Sequence, residues 1–321
     1  MTRVLITGAH GYIGGRLSAF LGAAEDYRLR LATRRSPSAW PAWSRNSARV
    51  EVAVADLADA AALEDLCRGI DAVIHLAGTN ERVSAADPGR ALIDTALGTM
   101  ELLRAAERQG VGRFVYLSTA HVYGAPLAGR IDETTLPRPI HPYAITHRAA
   151  EDFVLAAGAL GAIEAVVLRL SNGLGAPADS LIDRWTLVGN DLCRQAAEDG
   201  VLVLTSSGEQ ERDFVPLSDV CRGVLHVLRL PAAALGDGLF NLGGERSLTV
   251  RELAGMIAVR SEIVLGIRPD VVSPAASSNA ATRSLDYRFD KLRLTGYAPQ
   301  GSLEDEIDRT LALCLNVKER V

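Results

Sequence analysis

The chain runs Val4-Leu5-Ile6 into Thr7-Gly8-Ala9-His10-Gly11-Tyr12-Ile13-Gly14 near its start. A β-branched run, three glycines spaced by three, then Arg16, Leu17, Phe20 and Leu21 at helical spacing read as strand, tight turn and helix. Glycine at 8 permits the turn, at 11 lets a phosphate approach the backbone, and at 14 lets the helix pack closely on the strand. The first N–H groups of that helix lack intrahelical partners and attract an anion. A pyrophosphate-bearing dinucleotide suits this turn, with Gly8, His10, Gly11, Tyr12, Ile13 and Gly14 as contacts. Close packing alone is the competing explanation of the glycines.

Working outward, short apolar runs at Val50 to Val54, Ala72 to Leu76, Phe114 to Ser118 and Ala165 to Leu170 alternate with helical spacing such as Leu92, Ala96, Leu103 and Ala106. Strands alternating with helices predict an α/β, Rossmann-type doubly wound parallel sheet, its strands buried on both faces. After Asn172 the rhythm becomes irregular: a helical stretch Leu181 to Glu198, a strand Leu202 to Leu204, a return segment Asp213 to Leu228, and Leu239 to Leu242. This predicts a dinucleotide domain of residues 1–171 with a return segment near 213–245. A smaller, mixed α/β substrate lobe of residues 172–321 is interleaved with it. Thr249 with Glu252 forms a predicted capping box, and Ser302 a predicted cap of the last helix.

The second strand, Arg28 to Thr33, decides between cofactors. An NAD site normally ends this strand in a carboxylate that accepts from the ribose hydroxyls. Here Arg34, Arg35 and Ser36 follow, a pair of guanidiniums and a hydroxyl that suit a 2′-phosphate, so NADP(H) is expected ahead of NAD(H). A solvated basic turn would leave the same sequence. Asp56 and Leu57, ending the third strand, fall where an adenine ring would lie, although Asp56 also reads as a helix N-cap.

Composition excludes other classes. The chain has 321 residues, 48% apolar and 23% charged, and a net charge of −5 with no basic tract, so nucleic acid is not expected as a partner. Only Lys291 and Lys318 are lysines among 34 basic side chains. Cys67, Cys193, Cys221 and Cys314 form no CxxC pair, and no HxH or HExxH spacing occurs, so neither a disulfide framework nor a metal site is expected. The apolar stretch Val154 to Leu170 is broken by Gly158, Gly161 and Glu164. With no leader sequence either, a cytoplasmic protein without a membrane partner is expected.

Further motifs follow in order: His75-Leu76-Ala77-Gly78, Leu117-Ser118-Thr119-Ala120-His121-Val122-Tyr123-Gly124, Pro142-Tyr143-Ala144-Ile145-Thr146-His147, Leu168 to Gly173, Glu211-Arg212-Asp213-Phe214, Asp219-Val220 and Phe240-Asn241-Leu242-Gly243. With them the chain resembles the extended short-chain dehydrogenase/reductases, the NAD-dependent epimerase/dehydratase family typified by UDP-galactose 4-epimerase. The resemblance implies Tyr143 as the proton carrier, Thr119 as the hydroxyl on the reacting oxygen, and Leu76, Ala77 and Gly78 beside the cofactor. It also implies a substrate lobe in which Asn172 and Arg212 contact a nucleotide-sugar diphosphate, with Ser118 and His121 near the sugar. Arg212 could instead pair with Asp213 or Asp219; Arg268 and Arg283 are weaker candidates. The proline-rich segment Ala125 to Pro142 is expected as a loop over the cleft.

In the family a lysine stands four residues after the tyrosine, one helical turn along the same face, lowering the phenol pKa and binding the nicotinamide ribose. Here that position is His147. A neutral imidazole could still hold the ribose, a protonated one could replace the charge, or the chain could be a catalytically silent NADP-binding regulator. Ala120 and His121 occupy the place of the Asp-Glu pair of 4,6-dehydratases, which disfavours dehydration. The resemblance implies reduction of a keto-sugar or 4-epimerisation through a transient keto intermediate, with reduction slightly preferred. It also implies a homodimer through the helix carrying Tyr143 and its neighbour near residues 90–108.

Overall fold

The computed structural model describes residues 1–34, 44, 47–275 and 284–318. Arg35, Ser36 and Arg283 lie outside the described residues. The first half contains β1 (Thr2–Thr7), α1 (Tyr12–Ala23), β2 (Tyr27–Thr33), β3 (Val50–Val54), α2 (Ala60–Cys67), β4 (Ala72–His75) and α3 (Glu81–Ala86). Next, α4 (Pro88–Ala91) runs through a π-helical turn (Leu92–Leu97) into α5 (Gly98–Arg108), followed by β5 (Arg113–Thr119), β6 (Gly129–Ile131), α6 (Pro142–Ala159) and β7 (Glu164–Leu170). The remainder contains β8 (Asn172–Leu174), α7 (Val188–Glu198), β9 (Val201–Val203), β10 (Glu211–Pro216), α8 (Leu217–Arg229), β11 (Leu239–Leu242), β12 (Ser247–Thr249), α9 (Val250–Leu265), β13 (Asp270–Val272), β14 (Leu285–Tyr287), α10 (Asp290–Leu294) and α11 (Leu303–Lys318).

Seven parallel strands form the main sheet in the order β3-β2-β1-β4-β5-β7-β11. The chain builds outward from β1 to β3, then crosses back to β4. The carboxyl ends of β1 and β4 therefore part at a topological switch point, where such sheets bind ligands. Leu17, Leu21, Val220 and Val224 of α1 and α8 cover one face with Val4 and Ile6. Leu63, Leu102, Ala150 and Val154 of α2, α5 and α6 cover the other. This double burial accounts for the uninterrupted apolar strands.

A separate core gathers Leu174, Leu192, Leu202, Phe214, Leu253, Ile257, Ile307 and Leu311 around α7, α9 and α11. Residues beyond 172 visit both bodies, because α8 and β11 pack on or complete the main sheet. Two contacts clamp α1 to the far core: Tyr12 Oη donates to Gly175 O at 2.7 Å, and Arg16 pairs with the buried Glu306 at 2.7 Å. The capping box of Thr249 and Glu252 is present, and Ser302 Oγ accepts from Asp305 N at 3.0 Å. The helical stretch expected from Leu181 begins only at Val188. Asp179 Oδ1 accepts from Leu181 N at 3.0 Å, an Asx turn that competes with helix there. The loop Ala125 to Pro142 contains β6, which pairs with β14. No helix among the described residues is long and apolar enough to cross a membrane.

Candidate active site

The glycine turn is built as its spacing requires. Gly8 has φ +66°, and Gly11 N donates to Gly8 O at 2.8 Å. A Cβ on Gly14 would fall 2.0 Å from Gly8 O, and one on Gly8 would fall 2.8 Å from Ala77 N. Turn, first helix and β4 end therefore meet without room for side chains, leaving the helix N-terminus open to the crevice. A cleft of about 560 Å³ lies here, lined by Gly8, His10, Gly11, Tyr12, Ile13, Gly14, Leu76 and Gly78 on one side. Ser118, Thr119, His121, Tyr143, His147, Asn172 and Arg212 line it too. Arg34, Asp56, Leu57 and Ala77 lie outside that lining.

Tyr143 and His147 stand one turn apart on α6, their rings 4.4 Å apart edge to face. Pro142 begins this helix and His141 caps it, Nδ1 accepting from Tyr143 N at 3.2 Å. The Thr119 hydroxyl reaches the Tyr143 phenol from the end of β5. Burial pushes the phenol pKa above the ordinary tyrosine range; Glu81 raises it further, while Arg184 and the Thr119 hydroxyl oppose the shift. Burial drives His147 down to about 3, so its imidazole is neutral at physiological pH. His147 Nδ1 lies 2.7 Å from Tyr116 Oη.

Several sequence candidates carry local structural roles. Tyr12 uses its side chain to clamp the two cores, leaving backbone for a ligand. Asp56 is exposed and accepts from Ala58 N at 3.0 Å, while Asp59 caps α2, so Asp56 is not the helix N-cap. Leu57 packs toward Gly98. Exposed Arg34 faces Asp94 at 3.7 Å. Asn172 donates to Asp213 O at 2.9 Å.

Arg212 forms no ion pair with a carboxylate among the described residues. Asp213 is taken by Ser171 and Gly244 N, and Asp219 by Arg222. Arg212 is half-buried, its pKa lowered by burial, and it faces both the first cleft and an adjoining cavity of about 1050 Å³ beside Ala125 to Ala128. A guanidinium desolvated without a carboxylate is chemically an anion receptor. Arg268 is exposed and pairs with Glu262, away from either lining.

Two groups escaped sequence reasoning. Glu81 and Arg184 approach to 3.6 Å and both line the first cleft. The position of Glu81, six residues after the end of β4, could have flagged it. Ser118 Oγ is a buried hydroxyl without a hydrogen-bond partner, on the cleft lining. The glycine cradle fits a bound dinucleotide, and the Ser118 hydroxyl is left for a polar group of a ligand in the cleft. No group of three metal-ligating side chains occurs among the described residues.

The fold and cleft define a dinucleotide-binding protein of the doubly wound type. The chain belongs to the NAD dependent epimerase/dehydratase family, which matches residues 4–243. It is 29% identical over 317 residues to GDP-6-deoxy-D-mannose reductase of Pseudomonas aeruginosa, covering 97% of this chain and 96% of that one. It is 31% identical over 267 residues to UDP-glucose 4-epimerase of Azospirillum brasilense, covering 78% and 75%. The structure of RMD from Pseudomonas aeruginosa complexed with NADPH superposes with a TM-score of 0.78 at 26% identity, covering 100% and 99% of the two chains.

Proposed function

We propose that this chain is an NADP(H)-dependent ketoreductase of a nucleotide-activated sugar. The observation that carries the reading is the buried His147 ring packed edge to face against Tyr143 at 4.4 Å, at the position where a cation would favour a phenolate; burial pushes its pKa down. A phenol kept protonated is ready to donate a proton, as reduction of a carbonyl requires, whereas oxidation of an alcohol requires the phenolate base. Bound NADP(H) supplies the hydride. Tyr143 gives its proton to the carbonyl oxygen, and Thr119 orients that oxygen. His147 Nε2 and the backbone of Gly8, Gly11 and Gly14 hold the cofactor, with Leu76, Ala77 and Gly78 alongside. Arg212 and Asn172 take the sugar diphosphate, and Ser118 and His121 face the sugar.

Arg34 with Arg35 and Ser36 supports the phosphorylated cofactor, and the Pseudomonas structure complexed with NADPH agrees in kind. A homodimer is part of the reading, because α4 to α6 expose Leu92, Ile93, Leu97, Ile145 and Phe153. In this reading the substrate lies between the main-sheet core and the core around α7, α9 and α11, with the division near residue 172 and with α8 and β11 returned to the sheet.

The test is to purify the protein, identify retained dinucleotide by mass, and follow NADPH absorbance with a panel of 4-keto nucleotide sugars. GDP-linked 6-deoxyhexoses head the panel because of the Pseudomonas relative. Stoichiometric NADPH oxidation is expected. Sugar interconversion with no net cofactor change would favour the second reading, a 4-epimerase like the Azospirillum relative. Tight cofactor binding with cellular function unchanged by Tyr143→Phe would instead identify a silent regulator. Arg34→Ala should weaken NADPH more than NADH.

A further inference from the structure

Beneath the cleft lies a buried set of hydroxyls and imidazoles whose hydrogens can be assigned in order. Thr99 Oγ1 donates to Thr95 O at 2.5 Å, which commits its only hydrogen. His75 Nε2, 2.9 Å from Thr99 Oγ1, must therefore be the donor to it. His75 Nδ1 is then the acceptor, taking the Thr7 hydroxyl hydrogen at 2.6 Å. Thr7 Oγ1 also lies 3.3 Å and 3.4 Å from the N–H groups of Leu76 and Ala77. This fixes His75 as a neutral imidazole in one tautomer.

The same reasoning reaches His147. Thr99 has no hydrogen left to give the Tyr116 phenol, which has Thr99 Oγ1 on one side and His147 Nδ1 at 2.7 Å on the other. The two rings lie 5.8 Å apart and 25° from parallel. Tyr116 is 1% exposed and retains its proton, and that proton is assigned to the Nδ1 lone pair across the 2.7 Å contact, the Thr99 oxygen already accepting from His75. The hydrogen of His147 then resides on Nε2. That nitrogen forms the ring edge toward the cleft, since His147 lines it and Nε2 is not among the sealed, unpartnered atoms.

We propose that Tyr116 is a positioning residue that fixes His147 as the Nε2–H tautomer and holds its ring, so that the cleft meets one uncharged, pre-aimed N–H donor. The ligand group it serves is a sugar hydroxyl of the dinucleotide, and this part of the inference rests on the function proposed above. Tyr116 and His147 form a two-residue replacement for an ammonium, supplying its donor without its charge. Reversion of His147 alone therefore leaves the phenol without the lone pair it was placed to meet.

The test uses the full chain labelled with ¹⁵N-histidine and its Tyr116→Phe variant, which removes only the phenol oxygen. Long-range ¹H–¹⁵N spectra, with the His147 signals assigned by their loss in His147→Lys, read the tautomer without substrate or turnover. Wild type should show a protonated Nε2 and an unprotonated Nδ1 at neutral pH. Tyr116→Phe should show averaged nitrogens and titrate at higher pH. Its NADPH dissociation constant should rise about tenfold, with kcat at saturating NADPH changed less. A wild-type spectrum with hydrogen on Nδ1, or a variant spectrum identical to wild type, overturns the tautomer assignment. An unchanged NADPH affinity despite released tautomers overturns the positioning role. Wild-type protein that neither binds NADPH nor reduces keto-sugars would sink the proposed function while leaving the tautomer result intact.

Discussion

Replacing His147 by lysine tests directly whether absence of a cation sets the direction of this site. The imidazole packs 4.4 Å from the Tyr143 ring, centroid to centroid, and burial holds it neutral. An ammonium about 6 Å from the phenol oxygen, at an effective dielectric near 20, favours phenolate by about 2.8 kcal/mol, or about two pK units. Burial works against the ammonium as well, so two units is the upper value. The other charged groups facing the phenol, Glu81 and Arg184, are unchanged by the substitution.

The two directions report the phenol through different pH profiles. In the reductive direction the phenol must be protonated, and its raised pKa keeps it so; wild-type reduction of a keto-sugar by NADPH should be level across neutral pH and decline only in strong alkali. In the oxidative direction the phenolate must form. Wild-type oxidation should be slow at pH 7 and climb with pH. His147→Lys should move the alkaline rise of the oxidative profile by up to about two pH units toward neutral, and because both directions cross one transition state under a fixed overall equilibrium, any change in kcat/KM is shared by oxidation and reduction. The assay is NADPH absorbance in both directions between pH 6 and 10, with the variant's thermal midpoint and NADPH affinity measured alongside. A folded, NADPH-binding variant whose oxidative rate at pH 7 equals wild type would refute the reasoning. So would a wild-type reductive rate that falls through pH 6 to 8, as it would if a cationic His147 were required.

Four further outcomes follow. Glu151→Gln should destabilise by about 3–5 kcal/mol in urea unfolding, because Arg169 and Glu151 are 1% and 0% exposed and meet at 2.7 Å; a change under about 1 kcal/mol would contradict the desolvation argument. Gly14→Ala, with its Cβ 2.0 Å from Gly8 O, should weaken NADPH at least about tenfold by calorimetry. Arg212→Met should raise the KM for the nucleotide sugar by about 10- to 100-fold, the worth of charge-assisted hydrogen bonds, leaving NADPH affinity within about twofold. His75 and His147 both have folded pKa values near 3 against 6.5 ordinarily, so the unfolded state binds the extra protons and stability falls as pH drops below 6.5. Two such groups cost up to about 2.7 kcal/mol per pH unit well below 6.5, or about 3 kcal/mol between pH 6.5 and 5, measurable by urea unfolding at the two pH values.

The parts of the fold that were legible are those in which local chemistry and tertiary demand coincide. At Gly8, Gly11 and Gly14 the backbone needs the absence of a side chain, and that absence is written in the sequence. The buried strands of the parallel sheet show as uninterrupted apolar runs for the same reason. Leu181 was misread because apolar spacing alone cannot register the Asp179 carboxylate capturing a backbone N–H. The departure at His147 was visible, but its protonation was not. That depends on Tyr116, 31 residues earlier, whose phenol reads within β5 as one more strand aromatic. Arg212 was ambiguous for a similar reason: only the three-dimensional commitments of Asp213 and Asp219 show that neither carboxylate is left for it.

Those commitments give the cleft a particular electrostatic division of labour. Glu81 and Arg184 offset each other at 3.6 Å, and His147 and His75 are neutral, so little fixed charge is left beside the Tyr143 phenol. Farther along, Arg212 is desolvated without a carboxylate. Positive charge therefore sits at Arg212, and little is left beside the Tyr143 phenol, where it would promote phenolate. A lysine at position 147 would put a cation beside the phenol and make the phenolate easier to form. With little charge beside it the phenol keeps its proton, the state from which it donates to a carbonyl oxygen.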